Sequence, residues 1–176
     1  MSARRDVDAP VYLVGFMGVG KSTVGRTLAA RLDWGFEDTD TLVERAEGCA
    51  VEAIFRTSGE GRFREAEWDA LRSLGGRKQI VVATGGGLFL GVAQRAFLRS
   101  QGVSCWLDAP LALLSRRIAA GTSRPAWPVD DALSRRAFFE RRRAAYALAD
   151  LRIDASRAGA DDLASAIDSA RRSLWR

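Results

Sequence analysis

The stretch Gly15-Phe16-Met17-Gly18-Val19-Gly20-Lys21-Ser22 fits the pattern G-x-x-x-x-G-K-[ST]. It lies between the apolar run 11–16, which predicts a buried strand, and a helical pattern from Lys21 to Leu32. Glycines allow successive backbone N–H groups to curl around an anion, and the helix N-terminus behind them adds partial positive charge. The stretch therefore predicts a loop that binds nucleotide phosphates. The alternative is a glycine-rich turn with a chance lysine.

Two side chains of this loop are suited to phosphate chemistry. Lys21 can reach the outer phosphates of a nucleotide, and the hydroxyl of Ser22 can bind Mg²⁺. Lys21 is also one of only two lysines in the chain, the other being Lys78. Since a GTPase motif such as N-K-x-D needs a further lysine in the right place, we expect a small-molecule kinase.

Composition and length limit the class of protein. The chain has 176 residues, of which 47% are hydrophobic and 28% are charged, as in an ordinary globular protein. We expect a flexible tail at residues 1–10 and a single domain at 11–176. No apolar run approaches the ~20 residues that cross a bilayer, and the N-terminus is too polar for a signal peptide. These features predict a cytoplasmic protein with no membrane partner, which we expect to be a monomer.

The charged residues and the absence of histidine limit the partners and the kinds of catalytic site that we expect. The formal net charge is +5, and all cationic residues except the two lysines are arginines. The excess of arginine reflects either compositional bias or anion binding. Acidic residues are interspersed with the basic ones, so we expect no nucleic-acid partner. The chain has no histidine, which excludes His-based triads, His general bases and His-ligated metal sites.

Short apolar segments alternate with helical patterns along the whole chain. We expect strands at residues 11–16, 80–83, 103–107 and 151–153, and a further short strand that ends near Asp38. This alternation predicts an α/β fold with three α/β/α layers and a central parallel sheet of about five strands. The loop at 121–131 contains Pro125 and Pro128, and it is the candidate for a mobile lid.

Two carboxylates follow the phosphate-loop helix. Asp38 and Asp40 lie at the end of the predicted second strand, which an alternating sheet places beside the phosphate loop. One carboxylate could hold water on Mg²⁺ or take a hydroxyl proton, while the other could accept hydrogen bonds from a polyol. Alternatively, one aspartate only caps the next helix. Thr41 and Glu44 could also form a capping box at the start of that helix. The pattern leaves both interpretations open.

Two further patterns have both a structural and a functional interpretation. Glu60, Arg64 and Glu67 have the spacing of an ion-paired helix face, which could also hold the arginine ready for a substrate carboxylate. The triplet Gly85-Gly86-Gly87 ends a predicted strand. It forms either a tight turn or a place where the backbone approaches a ligand with no intervening side chain.

In order and spacing, these residues resemble the shikimate kinase family, which has the nucleoside monophosphate kinase-like P-loop fold. The resemblance runs from about Val11 to Asp154 and includes Arg124-Pro125 in the lid. It implies transfer of the γ-phosphate of ATP to the 3-hydroxyl of shikimate, with Mg²⁺. The chain departs from the family at Trp127, which is bulkier than the usual lid residue, and at Ala144, where a proline is usual.

The resemblance implies a role for each matched residue. Lys21, Asp38 and Arg124 are implied as catalytic residues, and Ser22 and Asp38 as the residues that serve Mg²⁺. The implied ATP-binding residues are Gly18, Val19, Gly20, Lys21, Ser22, Thr23, Arg117, which lies near adenine, and Arg124. The implied shikimate-binding residues are Asp40 for the hydroxyls, Arg64 and Arg142 for the carboxylate, Gly86 and Gly87 through their backbone, and Phe55 and Phe63 as apolar walls.

Two other functions remain as alternatives. One is a P-loop kinase for another small polyol acid such as gluconate. The pair of Asp38 and Asp40 and the glycine triplet disfavour this alternative. The other is a kinase-like sensory module that binds its ligand without catalysis. The presence of every phosphate-handling residue favours an enzyme over such a module.

Overall fold

The central sheet has the strand order β2-β3-β1-β4-β5, and all its pairs are parallel. This computed structural model describes residues 6–120 and 131–174. The strands are β1 (Val11–Val14), β2 (Gly35–Asp38), β3 (Ile80–Ala83), β4 (Val103–Asp108) and β5 (Leu151–Asp154). The helices are α1 (Lys21–Leu32), α2 (Thr39–Glu47), α3 (Val51–Ser73), α4 (Val92–Gln101), α5 (Leu111–Ala119), α6 (Ala132–Tyr146), α7 (Ala160–Ser173) and a 3₁₀ turn at Leu88–Leu90.

The middle of the sheet is its most apolar part. Every residue of β1, β3 and β4 is buried, as expected for strands covered by helices on both faces. The sequence predicts this three-layer α/β/α arrangement and its five parallel strands, and the structure confirms both. Because β1 lies between β3 and β4, the loop that follows β1 opens at the point where the strand order reverses. Ligands bind at this point in open α/β sheets.

Helix α2 begins earlier than its apolar pattern indicates. Its N-cap is Asp38, whose carboxylate accepts a hydrogen bond from the backbone N–H of Asp40 at 3.0 Å. The capping box expected from Thr41 and Glu44 is therefore not what starts the helix. Glu44 instead accepts a hydrogen bond from the backbone N–H of Val51 at 3.0 Å, at the start of α3.

Helix α3 consists of two helical segments joined at a kink. They meet at Gly59, whose φ of 79° and ψ of 174° are not helical. The kink lies between Phe55 and Phe63, whose ring centroids are 4.9 Å apart. The change of direction therefore brings together two aromatic rings from consecutive parts of one helix.

The segment before β1 is packed against the sheet. Ala9 is buried, and the carbonyl of Pro10 accepts a hydrogen bond from the backbone N–H of Val103 at 2.9 Å. These residues belong to the stretch 1–10 expected as a flexible tail, of which the structure describes only residues 6–10. Within the described ranges, no helix combines the length and the hydropathy needed to span a bilayer.

Gly25 sets how closely α1 packs on the sheet, and its substitution tests this packing. An added Cβ would lie 2.5 Å from Cε2 of Phe36 and 3.3 Å from Cδ1 of Leu13. Overpacking costs about 1–3 kcal/mol, whereas alanine gains only about 1 kcal/mol in helix propensity. We therefore expect Gly25→Ala to lower the free energy of unfolding by about 1 kcal/mol in urea denaturation.

Gly61 provides the matched control for that substitution. It lies in α3 and has open space around an added Cβ. Gly61→Ala should stabilise the protein by about 0.5–1 kcal/mol. Equal stability of the two variants would show that α1 does not pack as closely on the sheet as described.

Candidate active site

The phosphate loop connects β1 to α1 at the edge of the sheet. Gly15, Gly18 and Gly20 have positive φ values, and Gly20 is the residue that precedes α1. Lys21 folds back over the loop, where its ammonium donates to the carbonyls of Gly15 at 2.8 Å and Phe16 at 3.1 Å. The loop therefore has the open backbone and the positioned cation that binding of nucleotide phosphates requires.

A hydrogen bond between Ser22 and Asp38 connects the phosphate loop to the end of β2. The hydroxyl of Ser22, in the first turn of α1, donates to Oδ2 of Asp38 at 2.5 Å. Oδ1 of the same carboxylate caps α2, as described above. Asp38 therefore caps a helix and also faces the phosphate loop, so the cap does not exclude the functional role expected of this carboxylate.

A polar cleft extends over the phosphate loop. Its lining combines loop residues with side chains from the ends of β2, β3 and α5: Met17, Gly18, Gly20, Lys21, Ser22, Thr23, Asp38, Asp40, Thr84, Gly86 and Arg117. Arg117 donates to the carbonyl of Val19 at 3.4 Å, while the side chain of Val19 is buried below the loop. The residues expected to bind ATP within the described ranges therefore lie together.

A second, more apolar pocket adjoins this cleft. It is lined by Met17, Asp40, Val51, Phe55, Phe63, Arg64, Gly85, Gly86, Gly87 and Arg142. All seven residues expected to bind the acceptor are among them. Met17, Asp40 and Gly86 line both spaces. A molecule in the pocket would therefore lie next to phosphates held by the loop.

Carboxylates orient Arg64 at the wall of this pocket. Its Nη1 donates to Oε2 of Glu67 at 2.8 Å, and its Nη2 donates to Oε1 of Glu60 at 2.9 Å. Burial acts to lower the pKa of Arg64, but the charges and hydrogen bonds of the two glutamates outweigh burial and raise it. The guanidinium is thus permanently charged and fixed in direction.

The glycine triplet makes room for these side chains. A Cβ on Gly85 would collide with the carboxylate of Glu67, and a Cβ on Gly87 would collide with the guanidinium of Arg64. The backbone N–H of Gly85 donates to the buried hydroxyl of Thr39 at 2.7 Å. Close packing with charged side chains, in addition to the turn, therefore favours glycine at both positions.

The structure settles which of three consecutive arginines faces the pocket. Arg142 is only 6% exposed, and its Nη1 donates to the carbonyl of Gly86 at 3.0 Å. The hydroxyl of Tyr146, one turn later on α6, donates to the same carbonyl at 2.5 Å. Arg141 is exposed, and Arg143 points to Asp108 instead, at 3.3 Å.

For some residues that line the site, the sequence gives little or no indication that they belong to it. Met17 occupies a variable position of the phosphate-loop pattern, yet it lines both spaces. Thr39 and Thr84 look like ordinary polar residues, although both are buried beside the glycine triplet. Only the position of each threonine at the carboxyl end of a strand hints at a role. Arg124 and the lid at 121–130 lie outside the described residues.

Comparison with known proteins identifies the family. The family model described as shikimate kinase matches residues 17–170. A shikimate kinase from Microcystis aeruginosa is 44% identical over 144 residues, which is 81% of this chain and 75% of that protein. The chain belongs to the shikimate kinase family. It is an ATP-dependent kinase that acts on an alcohol acceptor, as the resemblance implies.

Solved structures agree with this assignment. A shikimate kinase from Acinetobacter baumannii, in complex with shikimate, is 36% identical to this kinase, with a TM-score of 0.88 over 94% of this chain and 93% of that one. A gluconokinase from Sinorhizobium meliloti shares 17% identity with a TM-score of 0.59 over 97% of this chain and 98% of that one, a likeness in fold alone. The comparisons therefore favour shikimate kinase over both alternative functions.

Glu67 gives the site a pH-dependent feature that can be measured. Burial raises the pKa of this carboxyl from 4.5 to about 7, although the charge of Arg64 acts in the opposite direction. At pH values between 4.5 and about 7, Glu67 therefore keeps its proton in the native state but has lost it in the unfolded chain. Stability relative to a Glu67→Gln variant should fall as pH rises from 4.5 to 7, and level off above 7.

The difference in unfolding free energy between the protein and Glu67→Gln, plotted against pH, has a slope that reports the proton bound by Glu67. It should approach about 1.4 kcal/mol per pH unit, the value for one proton. Urea unfolding of both proteins at several pH values provides the measurement. Parallel stability curves across this range would mean that Glu67 is ionised throughout and that burial does not control its charge.

Proposed function

We propose that this kinase transfers the γ-phosphate of ATP to the 3-hydroxyl of shikimate, giving shikimate 3-phosphate and ADP. The observation that carries the proposal is the junction of the two spaces. A pocket with two guanidinium groups, one carboxylate and two aromatic rings opens directly onto the phosphate loop. Shikimate offers a carboxylate, hydroxyls and an apolar ring to match these groups, and a related structure at 36% identity contains it.

On the donor side, the phosphate loop and Lys21 hold the triphosphate. The loop N–H groups and the start of α1 bind the phosphates, while the ammonium of Lys21 offsets the charge that develops during transfer. Arg117, at the rim of the same cleft, is assigned to the adenine end of the nucleotide.

The side chains at the loop fit Mg²⁺ bound together with the nucleotide. Ser22 offers a hydroxyl, and Asp38 beside it offers a carboxylate for water on the ion. Among the residues described, no three acidic or cysteine side chains cluster closely enough to hold a metal by themselves. Mg²⁺ usually binds through one or two protein oxygens together with substrate phosphates, and it offsets phosphate charge there. Both oxygens of Asp38 accept hydrogen bonds, which suits positioning better than proton abstraction.

On the acceptor side, Arg64 and Arg142 bind the carboxylate of shikimate. Their guanidinium groups line one pocket and approach it from α3 and α6. Asp40, at the junction, accepts hydrogen bonds from the hydroxyls and so presents one of them to the phosphate. Phe55 and Phe63 cover the apolar part of the ring, and Gly86 and Gly87 leave space for its edge.

Three further assignments complete the proposal. Arg124, in the stretch expected as a lid, is assigned to the transferring phosphate. The protein acts as a monomer. It acts in the cytoplasm, in agreement with its two free cysteines, Cys49 and Cys105.

Lys21→Ala tests the donor side. The variant should fold normally and lose turnover by about 10²–10³-fold or more, because a donor that stabilises transition-state charge is removed. Lys78→Ala is the matched control, since Lys78 forms an exposed ion pair with Asp6 at 2.6 Å. A coupled assay for ADP release measures both. Wild-type turnover in folded Lys21→Ala would remove Lys21 from the mechanism.

Arg64→Ala and Asp40→Ala test the acceptor side. Each should weaken shikimate binding by about 2–5 kcal/mol, because one partner of a charge-assisted contact is lost. Nucleotide binding should change little. Arg62→Ala is the control, because Arg62 pairs with Glu47 on the surface at 2.5 Å. If calorimetry shows normal shikimate affinity for both variants, Arg64 and Asp40 serve the helices alone.

A further inference from the structure

Arg142 is a buried cation that the nearby glutamates compensate only from beyond ion-pair distance. It is 6% exposed, and it forms no ion pair with any residue in the ranges 6–120 and 131–174. Arg64, across the same pocket, pairs with two glutamates. Its Nη1 donates to the carbonyl of Gly86 at 3.0 Å. A buried charge without an ion pair is costly, so we expect a further favourable interaction beside this hydrogen bond.

Aromatic rings provide that interaction. The guanidinium carbon of Arg142 lies 4.0 Å from the ring centroid of Phe138 and 6.0 Å from that of Phe16. Phe138 precedes Arg142 by one helical turn on α6, a spacing that places both side chains on one face. Phe16, from the phosphate loop, meets the ring of Phe138 edge-on at a centroid distance of 5.9 Å.

We propose that Phe138 is a positioning residue for the acceptor, whose ring face holds the guanidinium of Arg142 in the direction of the shikimate carboxylate. The inference rests on the proposed role of Arg142 in binding that carboxylate. Phe16 supports the ring from the side of the phosphate loop.

The chemistry of the pocket favours a ring over a carboxylate at this place. A carboxylate beside Arg142 would satisfy the guanidinium and compete with the carboxylate of the substrate. The face of an aromatic ring attracts a cation more weakly, and it leaves the N–H edges of the guanidinium available. Phe138 therefore orients the charge without neutralising it, whereas Glu60 and Glu67 orient Arg64 at the cost of partial neutralisation.

The experiment separates the ring face from simple packing. Phe138→Leu should raise the KM for shikimate about 5- to 30-fold, with a much smaller change in the KM for ATP and in the melting temperature. Replacement of Phe138 by phenylalanines with one, two and three ring fluorines keeps the shape and weakens the ring face. Shikimate affinity measured by calorimetry should fall stepwise along this series. Equal affinity along the series would overturn the proposal.

Phe139 offers the matched control. Its ring packs on Phe16 at 5.2 Å, and it is as buried as Arg142, yet it makes no such contact with that guanidinium. Phe139→Leu should lower stability and change the KM for shikimate less than 2-fold. An equal rise in KM for Phe138→Leu and Phe139→Leu would show a packing effect and overturn the proposal.

Arg142→Ala distinguishes failure of this inference from failure of the proposed function. A large rise in its KM for shikimate, with no effect of fluorination at Phe138, rejects the ring contact alone. An unchanged KM in a folded Arg142→Ala protein rejects the role of Arg142 as well, and the inference falls with it. A higher KM for shikimate in Arg142→Ala, together with a loss of shikimate affinity on fluorination of Phe138, supports the proposal.

Discussion

Parallel pairing of the strands is the constraint on which this site depends. All five strands point the same way, so the segments that follow β1, β2 and β3 leave the sheet at one edge. The register makes this concrete, because Asp38 and Leu13 both pair with Ala83 in β3. The phosphate loop, the aspartates and the glycine triplet are far apart in the chain, and this register alone brings them together. An antiparallel neighbour would send one of these segments to the opposite edge.

Within that frame, the acceptor pocket holds a half-buried cation, Arg64, and a buried one, Arg142, by two different means. Arg64 lies between carboxylates and pays for its burial with two ion pairs, one of them to a carboxyl whose pKa is itself raised. Burial lowers the pKa of Arg142, and this arginine contacts aromatic rings and a backbone carbonyl. The difference gives the pocket one firmly fixed cation and one whose charge is less compensated. A carboxylate ligand would be attracted most strongly toward the second.

Local patterns allowed much of this to be predicted, and non-local contacts account for the rest. The phosphate loop, α1 and β3 follow from short-range spacing, and the predicted bounds of α1 and β3 agree with the structure. The position of Arg142 among three arginines depends on how α6 rotates against Phe16 and Gly86, which no local pattern records. The sequence leaves an aspartate cap and the Thr41–Glu44 capping box as alternatives for the start of α2, because the aspartate that caps it also ends a strand. The preference for glycine at position 85 depends on Glu67, eighteen positions away in the chain.

The donor and acceptor sides are mechanically continuous through a short series of hydrogen bonds. Ser22 donates to Asp38, and that carboxylate accepts from the backbone of Asp40, which lines both spaces. The next residue back, Thr39, accepts from the backbone of Gly85. These hydrogen bonds therefore connect the start of α1 to Asp40 and to the backbone of the glycine triplet, both of which line the acceptor pocket. Phosphoryl transfer requires in-line placement of two substrates. A fold that anchors both binding surfaces to Asp38 makes that placement a property of one rigid edge of the sheet, rather than of two surfaces adjusted separately.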